Sequence, residues 1–446
     1  MPTDRPSSIQ KPAFNWRVRR KSESTDSTLR SAGIDQREAS TSSARSARKR
    51  AATAEVRGRA RSTTLATKRE ATRLDSPSMV EERDARAVWA GCERVLAGFD
   101  PSTRAARTTL LALAERAPDE VQVDRYGGGA LAERLEERIA GLVGKEAAVW
   151  MPSGTMAQQI ALRVHAGRKG RSVVAFHPQC HLEAHEEHAY QWLHDLRAVL
   201  LGDRDRLITA DDIIGLREPV AAVLLELPQR DLGGQLPQWE DLVTTCEAAR
   251  ARDAALHLDG ARLWQCSSFY GRPLDEIAAL FDTVYVSFYK DLGAPAGCAL
   301  AGPQDLIDEA RVWQVRHGGR LFSAYPFLLA AERGLDEVLP RLPAYVERAR
   351  ELAVVLAGLD DVSVVPDPPQ TAMLHVLVRR PLEALKEASF DLAEETKVWL
   401  AFWNATADPQ VQRSELTITE ASFAVSPAEA RELWQALLER ARLVDG

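Results

Sequence analysis

The sequence predicts an α/β protein with a mostly parallel sheet in a large domain, followed by a smaller α+β domain. Between residues 121 and 330, short apolar runs alternate with amphipathic helical stretches. This alternation is typical of parallel strands joined by crossover helices. From about residue 331 the pattern changes to long amphipathic helices with two short strand-like runs, AMLHVLV and ELTIT. We therefore expect a large domain at 121–330 and a small C-terminal domain at 331–446.

The large domain begins with a helix, a strand and a second helix. ALAERLEERIAGLVG has the spacing of an amphipathic helix that ends at Gly144, EAAVWMPS is strand-like, and GTMAQQIALRVHA begins the next helix. The strand-like runs that follow are RSVVAFH, RAVLLGD, AAVLLELP, AALHLD and TVYVSFY. Such continuous apolar runs indicate strands that are buried on both faces. The segments DLVTTCEAARAR and PLDEIAALF supply helices between them.

The first 78 residues differ in composition from the rest of the chain. They carry 18 lysines and arginines against 8 acidic residues, although the whole chain has a net charge of −7. Few large apolar residues occur there, so we expect a disordered basic extension at 1–78. Helical spacing begins at Met79, which predicts a helical segment at 79–120.

Three explanations of this extension are open. It could bind nucleic acid or an acidic partner, or it could be a transit peptide, although its acidic residues disfavour that. We favour a dispensable extension upstream of the true start. It lacks helix-turn-helix periodicity, so we expect no nucleic-acid binding by it.

The remaining composition limits the class of protein. A chain of 446 residues should hold two or more units. No apolar stretch approaches the roughly 18–20 residues that a membrane helix needs, so we expect no membrane partner. The five cysteines are scattered, without a CxxC pair. This predicts a reducing, cytoplasmic location rather than a disulfide framework or a zinc site.

Lys290 and Asp259 each end a strand-like run. Lys290 ends VYVSFYK ahead of a turn rich in glycine and proline, and Asp259 ends AALHLD. A lysine amine can form a Schiff base with the aldehyde of pyridoxal phosphate (PLP), and a carboxylate can keep the pyridine nitrogen protonated. Burial would lower the pKa of such a lysine. The pair predicts a PLP enzyme in which Lys290 is catalytic and Asp259 binds the cofactor.

The turn PSGTM (152–156) joins a strand to a helix, where backbone N–H groups can bind a phosphate. Alone it is also an ordinary helix cap. Together with Lys290 and Asp259, it predicts cofactor binding by Ser153, Gly154 and Thr155.

Two arginines are further candidates. Arg262 follows Asp259 in the motif DGAR, where a guanidinium could contact the cofactor or a substrate carboxylate, or could simply bond the turn. Arg320 lies in the glycine-containing loop RHGGRLFSAYP, which is either a plain connection or brings Arg320 to a phosphate, including one across a dimer interface.

The segment HPQCHLEAHEEHAY (177–190) contains four histidines. A metal site, a solvated helix face and a histidine that stacks on the cofactor ring are the three alternatives, and we favour the stacking histidine, which could also relay a proton. No metal is therefore expected. His257 precedes Asp259 within a strand, and we expect it to be a core histidine.

The segments RLEERIAGLVGKEAAVWMPSGTMAQQIAL, HLDGARLW and VSFYKDLGAPAGCALAG together resemble the threonine aldolases of the β-eliminating lyase family. The resemblance covers about residues 120–330. It implies a fold-type-I PLP-dependent enzyme, a dimer or tetramer of identical chains with shared active sites, and a small amino acid as substrate.

The resemblance also implies roles for individual residues. Lys290 would form the Schiff base, Asp259 would contact the pyridine nitrogen, and Arg262 would contact cofactor and substrate. His181 would stack on the ring and act in catalysis, with Glu186 five residues later. Tyr126 is assigned to the substrate side together with Glu186 and Arg262.

Several segments depart from the family pattern. The chain has Tyr126-Gly127-Gly128-Gly129 in place of an acidic loop, and Leu182, Glu183 and Ala184 in place of aromatic residues. ELPQRDLGG lacks the Asn, Thr or His residues typical before the double glycine. ELTITEASFAV lacks the carboxylate-binding arginine that the family often has, so that Arg413 is only a nearby candidate.

We therefore expect a lyase that cleaves a threonine-like β-hydroxy-α-amino acid to glycine and an aldehyde by retro-aldol chemistry. Another PLP-dependent amino-acid lyase or a racemase on the same scaffold is the main alternative. A PLP-binding regulator is the alternative from another class of protein.

Overall fold

The protein is represented by a computed structural model, which describes residues 84–99, 105–117 and 122–443. The expected basic extension at 1–78 lies outside the described residues. So do parts of the segment at 79–120, which was expected to be helical.

Fifteen α-helices lie within the described residues: α1 (Ala85–Ala90), α2 (Ala106–Arg116), α3 (Ala130–Leu142), α4 (Gly154–Lys169), α5 (His181–Ala184), α6 (Ala189–His194), α7 (Ala210–Ile214), α8 (Trp239–Ala251), α9 (Cys266–Tyr270), α10 (Leu274–Ala278), α11 (Gln304–Arg316), α12 (Tyr325–Arg333), α13 (Leu342–Ala357), α14 (Leu382–Thr396) and α15 (Pro427–Leu443). None of these helices is both long and apolar enough to cross a bilayer.

The strands of the same residues are β1 (Arg94–Val95), β2 (Ala147–Met151), β3 (Val173–Phe176), β4 (Arg197–Leu200), β5 (Ala222–Glu226), β6 (Ala255–Gly260), β7 (Thr283–Ser287), β8 (Cys298–Gly302), β9 (Val362–Val365), β10 (Met373–Val378), β11 (Val398–Trp399), β12 (Asn404–Ala405) and β13 (Gln412–Thr417).

The large domain is built on a seven-stranded sheet of order β2-β8-β7-β6-β5-β3-β4. Only β8 runs against its neighbours, β2 and β7, and the other pairs are parallel. Strands β6 and β7 are buried along their whole length, which explains why their sequences lack the alternation of a half-exposed strand. The fold class expected from the sequence is confirmed.

Parallel pairing places the carboxyl ends of β5, β6 and β7 side by side. Glu226 at the end of β5 is opposite Asp259, and Asp259 on β6 is opposite Tyr285 on β7. The chain reaches Lys290 three residues after β7 ends at Ser287. Residues that follow different strands therefore meet at one edge of the sheet, where ligands of open α/β sheets bind.

Helices α4 and α11 cover β2, β7 and β8 on one side of the sheet. Apolar side chains such as Ile160 of α4 and Ile307 of α11 are fully buried there. Burial of such a side chain contributes roughly 1.5–3 kcal/mol, so this packing fixes the position of the first turn of α4 relative to the strand ends.

The small domain has a four-stranded antiparallel sheet of order β12-β13-β10-β9, flanked by α13, α14 and α15. The N-terminal segment joins this domain, because β1 pairs in parallel with β11 and α1 packs on α14. The segment at 79–120 thus contains a strand in addition to the helices expected from its sequence.

Candidate active site

Asp259 is buried at the end of β6 and is held by hydrogen bonds from two elements. The side-chain amide of Gln158 on α4 donates to its Oδ2, and the backbone N–H of Ala261 donates to Oδ1 over 3.1 Å. Gln158 Oε1 lies 2.9 Å from His257 Nε2, and His257 Nδ1 lies 2.8 Å from Thr283 Oγ1. The expected core histidine therefore belongs to a buried chain of hydrogen bonds that orients the amide on Asp259.

Glu226 and Asp259 form a pair of buried carboxyl groups. Burial raises the pKa of both, and the charge of Asp259 raises that of Glu226 further. The electrostatic interaction with His181 and the two hydrogen bonds oppose this effect at Asp259. Because like charges disfavour joint ionisation, the pair favours a single negative charge, which the hydrogen bonds from Gln158 and Ala261 support on Asp259.

The Lys290 amine lies among charges from several elements. Burial lowers its pKa below the usual range, and the positive charges of Arg262 and Arg230 lower it further. Asp259 and Glu415 act in the opposite direction. The Lys290 amine therefore loses its proton more readily than the amine of an exposed lysine. The neutral amine is the form that reacts with a carbonyl group.

Arg262 is held near Lys290 by an acidic residue. Its Nε lies 3.6 Å from Oδ1 of Asp291, the residue that follows Lys290. Burial raises the pKa of Asp291 to about 6, although the charge of Arg262 opposes this rise. Arg262 Nε is buried and has no hydrogen-bond partner among the described residues. Buried polar groups without partners are rare, so a ligand that accepts from Arg262 would complete this arrangement.

A second arginine enters the site from the loop after β5. Nε of Arg230 lies 2.9 Å from Oε2 of Glu415 on β13, so the ion pair connects the loop after β5 with the antiparallel sheet. Burial alone would raise the pKa of Glu415, but His375, Arg230 and Arg262 overcome this effect and lower it to about 2. Glu415 is therefore a stable negative charge on the small-domain side of Lys290.

His181 begins α5 and has a carboxylate partner. Its Nδ1 lies 2.9 Å from Oε1 of Glu186, and Gln159 of α4 donates to Glu186 Oε2 over 3.4 Å. With Nδ1 bonded to a carboxylate, Nε2 is the ring nitrogen left to accept a proton. The two residues assigned from the family spacing are thus in contact, and His181 lies close enough to Asp259 to lower the pKa of that carboxyl group.

The other histidines of this segment have separate partners. His185 pairs with Asp231 at 3.0 Å, and His188 lies 3.4 Å from Glu183. His177 is buried and bonds to backbone groups. Within the part of the chain that the structure describes, no group of three or more His, Cys, Asp or Glu side chains is arranged to hold a metal ion.

The first turn of α4 faces two tyrosine hydroxyls. Ser153 caps the helix, because its Oγ accepts from the N–H of Met156 over 3.3 Å. The N–H of Gly154 donates to the hydroxyl of Tyr289, which lies 3.2 Å from that of Tyr285. A side chain at Gly154 would overlap both hydroxyls. The turn Ser153–Gly154–Thr155 thus forms a small polar recess at the amino end of a long helix, where a phosphate group is favoured.

Tyr126 and Arg320 lie together in another part of the structure. Arg320 donates to the backbone oxygen of Tyr126, whose ring meets that of Phe322 at 5.3 Å. No hydrogen bond or ion pair between described residues joins them to Lys290. However, Gly319, next to Arg320, packs against Met156 in the first turn of α4. Their assignment to cofactor and substrate stays a prediction.

Several residues around Lys290 did not stand out in the sequence: Gln158, Glu226, Arg230, Tyr289, Asp291 and Glu415. Glu226 carried the same signal as Asp259, since it also ends an apolar run. Arg230 lies in the ELPQRDLGG segment that departs from the family pattern, so that departure marked the place. Glu415 could be assigned to the site only from the register of β13 against β10, which pairs it with His375.

Comparisons with known proteins agree with this geometry. The family profile described as Beta-eliminating lyase matches residues 103–379. A solved structure of a putative L-allo-threonine aldolase from Listeria monocytogenes is 38% identical, with a TM-score of 0.76, and the match covers 80% of this chain and 98% of the other.

Two further relatives are similar over most of their length. A putative aromatic amino acid β-eliminating lyase/threonine aldolase from Exiguobacterium is 34% identical, with a TM-score of 0.75, and the match covers 80% of this chain and 99% of that chain. Low-specificity L-threonine aldolase 1 from Arabidopsis thaliana is 27% identical over 317 residues, which are 69% of this chain and 88% of the relative.

Proposed function

The chain belongs to the β-eliminating lyase family, and we propose that it is a PLP-dependent aldolase that cleaves a β-hydroxy-α-amino acid to glycine and an aldehyde. The observation that carries the proposal is the pairing of two residues at neighbouring strand ends. Lys290 has a lowered pKa, and Asp259 is a buried carboxylate held by Gln158 and Ala261.

The residues at the strand ends fit PLP, on which the family depends. The recess at Gly154 is closed to any side chain, and the helix dipole there favours a phosphate, which would replace the Tyr289 hydroxyl as acceptor of the Gly154 N–H. The buried Arg262 Nε has no hydrogen-bond partner among the described residues. Lys290 would attach to the cofactor aldehyde, Asp259 would face the pyridine nitrogen, and the first turn of α4 would hold the phosphate.

When bound, PLP supplies an electron-poor ring that accepts the electron pair released by the Cα–Cβ bond. The protein sets this chemistry through charge. Ionised Asp259 holds a proton on the ring nitrogen, and its hydrogen bonds from Gln158 and Ala261 keep that carboxylate in place. The ion pair with Asp291, at 3.6 Å, holds Arg262 near Lys290.

His181 is the candidate base for the substrate hydroxyl. Glu186 bonds Nδ1 and thereby leaves Nε2 to accept the hydroxyl proton as the Cα–Cβ bond breaks. Arg262 and Arg230 both carry positive charge next to Lys290, and a guanidinium pairs well with a carboxylate. We assign the substrate carboxylate to these two arginines.

The test is cofactor trapping followed by product analysis. Borohydride reduction should fix the cofactor on the peptide that contains Lys290, and Lys290→Ala should lose this label and at least about 1,000-fold in turnover. Lys386→Ala, which changes a partly exposed lysine paired with Glu383, should retain both the label and the turnover. Wild-type protein without bound PLP would contradict the proposal.

A β-elimination on the same scaffold is the second candidate, which the name of the Exiguobacterium relative raises. The products distinguish the two reactions. Retro-aldol cleavage releases glycine and an aldehyde, whereas β-elimination releases a 2-oxo acid and ammonia. Incubation with threonine, allo-threonine and phenylserine, with all four products measured, decides between them.

A further inference from the structure

A large cavity lies between the N-terminal segment and the small domain. Its volume is about 660 Å³. Four aromatic side chains line much of it, namely Trp89, Phe99, Trp399 and Phe402. The rings of Trp399 and Phe402 are 4.6 Å apart, so part of the wall is a continuous aromatic surface.

Two observations place part of the cavity wall near Lys290. Glu415 contributes to its lining, and the charge of the same residue acts on the pKa of Lys290. Phe99 lies near Gly293, three residues after Lys290, since a Cβ at Gly293 would be 3.9 Å from Phe99 Cε1. A substrate held at Lys290 therefore has this aromatic space beside it.

The backbone of the N-terminal segment is fixed over the cavity. Leu96 N–H donates to the backbone oxygen of Trp399 over 2.8 Å, and Gly98 N–H donates to that of Thr417 over 2.7 Å. All of the aromatic lining lies outside residues 103–379, which the family profile matches. The family profile therefore does not determine the residues that form this aromatic wall.

We propose that this cavity binds the β-substituent of the amino-acid substrate and that this substituent is an aromatic ring. The inference rests on the proposed function, because Lys290, Arg262 and Arg230 must hold the amino-acid part of the substrate. Aromatic walls attract an aromatic ring through edge and face contacts as well as burial. The methyl group of threonine would leave most of the cavity filled with water.

Binding of amino acids without a β-hydroxyl tests the cavity apart from cleavage. L-phenylalanine and L-alanine would be titrated into the PLP-loaded full chain by calorimetry, since neither can undergo the retro-aldol reaction. We expect phenylalanine to bind roughly 10- to 100-fold more tightly than alanine, as burial of a ring implies. Phenylserine should exceed threonine in kcat/KM by a similar factor.

Three variants test whether the cavity causes this difference in affinity. Phe402→Ala should reduce the ratio of the affinities for phenylalanine and alanine by about 5- to 10-fold. Ala97→Phe should also reduce this ratio, because the new ring fills the cavity. In both variants the affinity for alanine should stay as in the wild type. Trp192→Ala removes an aromatic residue of α6 that is 82% exposed. It should change neither the phenylalanine-to-alanine ratio nor the affinity for alanine. If a variant fails to fold, Phe402→Leu replaces it.

Each result has one meaning. Equal affinity for phenylalanine and alanine in the wild type, or an unchanged ratio in Phe402→Ala and Ala97→Phe, overturns the assignment of the cavity. A high ratio without release of glycine from any substrate instead contradicts the aldolase activity.

Discussion

Arg230 and Glu415 carry opposite charges that act on the same amine, Lys290. Arg230 lowers the pKa of Lys290, and Glu415 raises it. The two residues also form an ion pair over 2.9 Å, so each limits the effect of the other. Neither belongs to the pair that first indicated the cofactor, but both contribute to the pH at which Lys290 loses its proton, after burial and Arg262.

Removal of either charge should shift the pH dependence of turnover, and the two shifts should have opposite signs. Arg230→Gln removes a positive charge, so the pKa of Lys290 rises and the acidic limb, along which Lys290 loses its proton, moves up by roughly one pH unit. Glu415→Gln removes a negative charge and frees Arg230, so the limb moves down. The pH profile of kcat/KM measures both.

Arg350→Gln is the control for these two variants, because it changes a partly exposed arginine of α13 that pairs with Glu347. Its profile should match that of the wild type. Shifts of the same sign in Arg230→Gln and Glu415→Gln would show that these charges do not govern Lys290.

At the scale of elements, the first turn of α4 is defined by close approach rather than by unusual backbone angles. Gly154 faces Tyr285 and Tyr289 so closely that a methyl group would displace their hydroxyls. Ser153 caps the same turn. A phosphate therefore finds backbone N–H groups only if residue 154 has no side chain.

Gly154→Ala should weaken PLP retention by about 10-fold or more, because the added Cβ fills the recess and moves the tyrosine hydroxyls. Spectroscopic titration of the stripped protein with PLP measures this change. Gly141→Ala in α3 is the matched control, since nothing lies within 4 Å of its added Cβ. It should leave PLP affinity unchanged and stabilise the helix by about 0.5–1 kcal/mol. Equal PLP affinity in the two variants would show that the phosphate does not bind at this turn.

The elements differ in how far the sequence could predict them. Strands β6 and β7 and the start of α4 were predictable, because continuous apolar runs end at Asp259 and Lys290 and a serine cap precedes Gly154. Strand β1 was not, since two residues become a strand only through pairing with β11 about 300 residues later. The contact of Arg230 with Glu415 could not be predicted either, because the two residues are far apart in the sequence and meet only in the fold. A single glutamine such as Gln158 does not indicate in the sequence which buried group it will bond.

At the scale of the whole molecule, an apolar patch surrounds the loop that carries Arg320. Its exposed members are Tyr126, Val312, Val315, Phe322 and Tyr325. Clustered exposed aromatic and aliphatic side chains mark protein interfaces, and symmetric association of identical chains is the commonest use of such a surface. We propose that a second copy of the chain covers this patch, so that Arg320 reaches the cofactor phosphate of the partner.

Mixing two inactive variants tests this arrangement. Lys290→Ala and Arg320→Ala should each be inactive or strongly impaired alone, but a mixed dimer would hold one site with both residues intact if Arg320 acts across the interface. Random exchange of subunits would then restore about a quarter of wild-type turnover. If Arg320 served its own chain, no mixed site would be complete and mixing would restore nothing. Phe322→Ser should abolish the recovery by weakening the interface, whereas Phe423→Ser, at a partly exposed ring near Tyr345, should preserve it, with light scattering to report the assembly in each case.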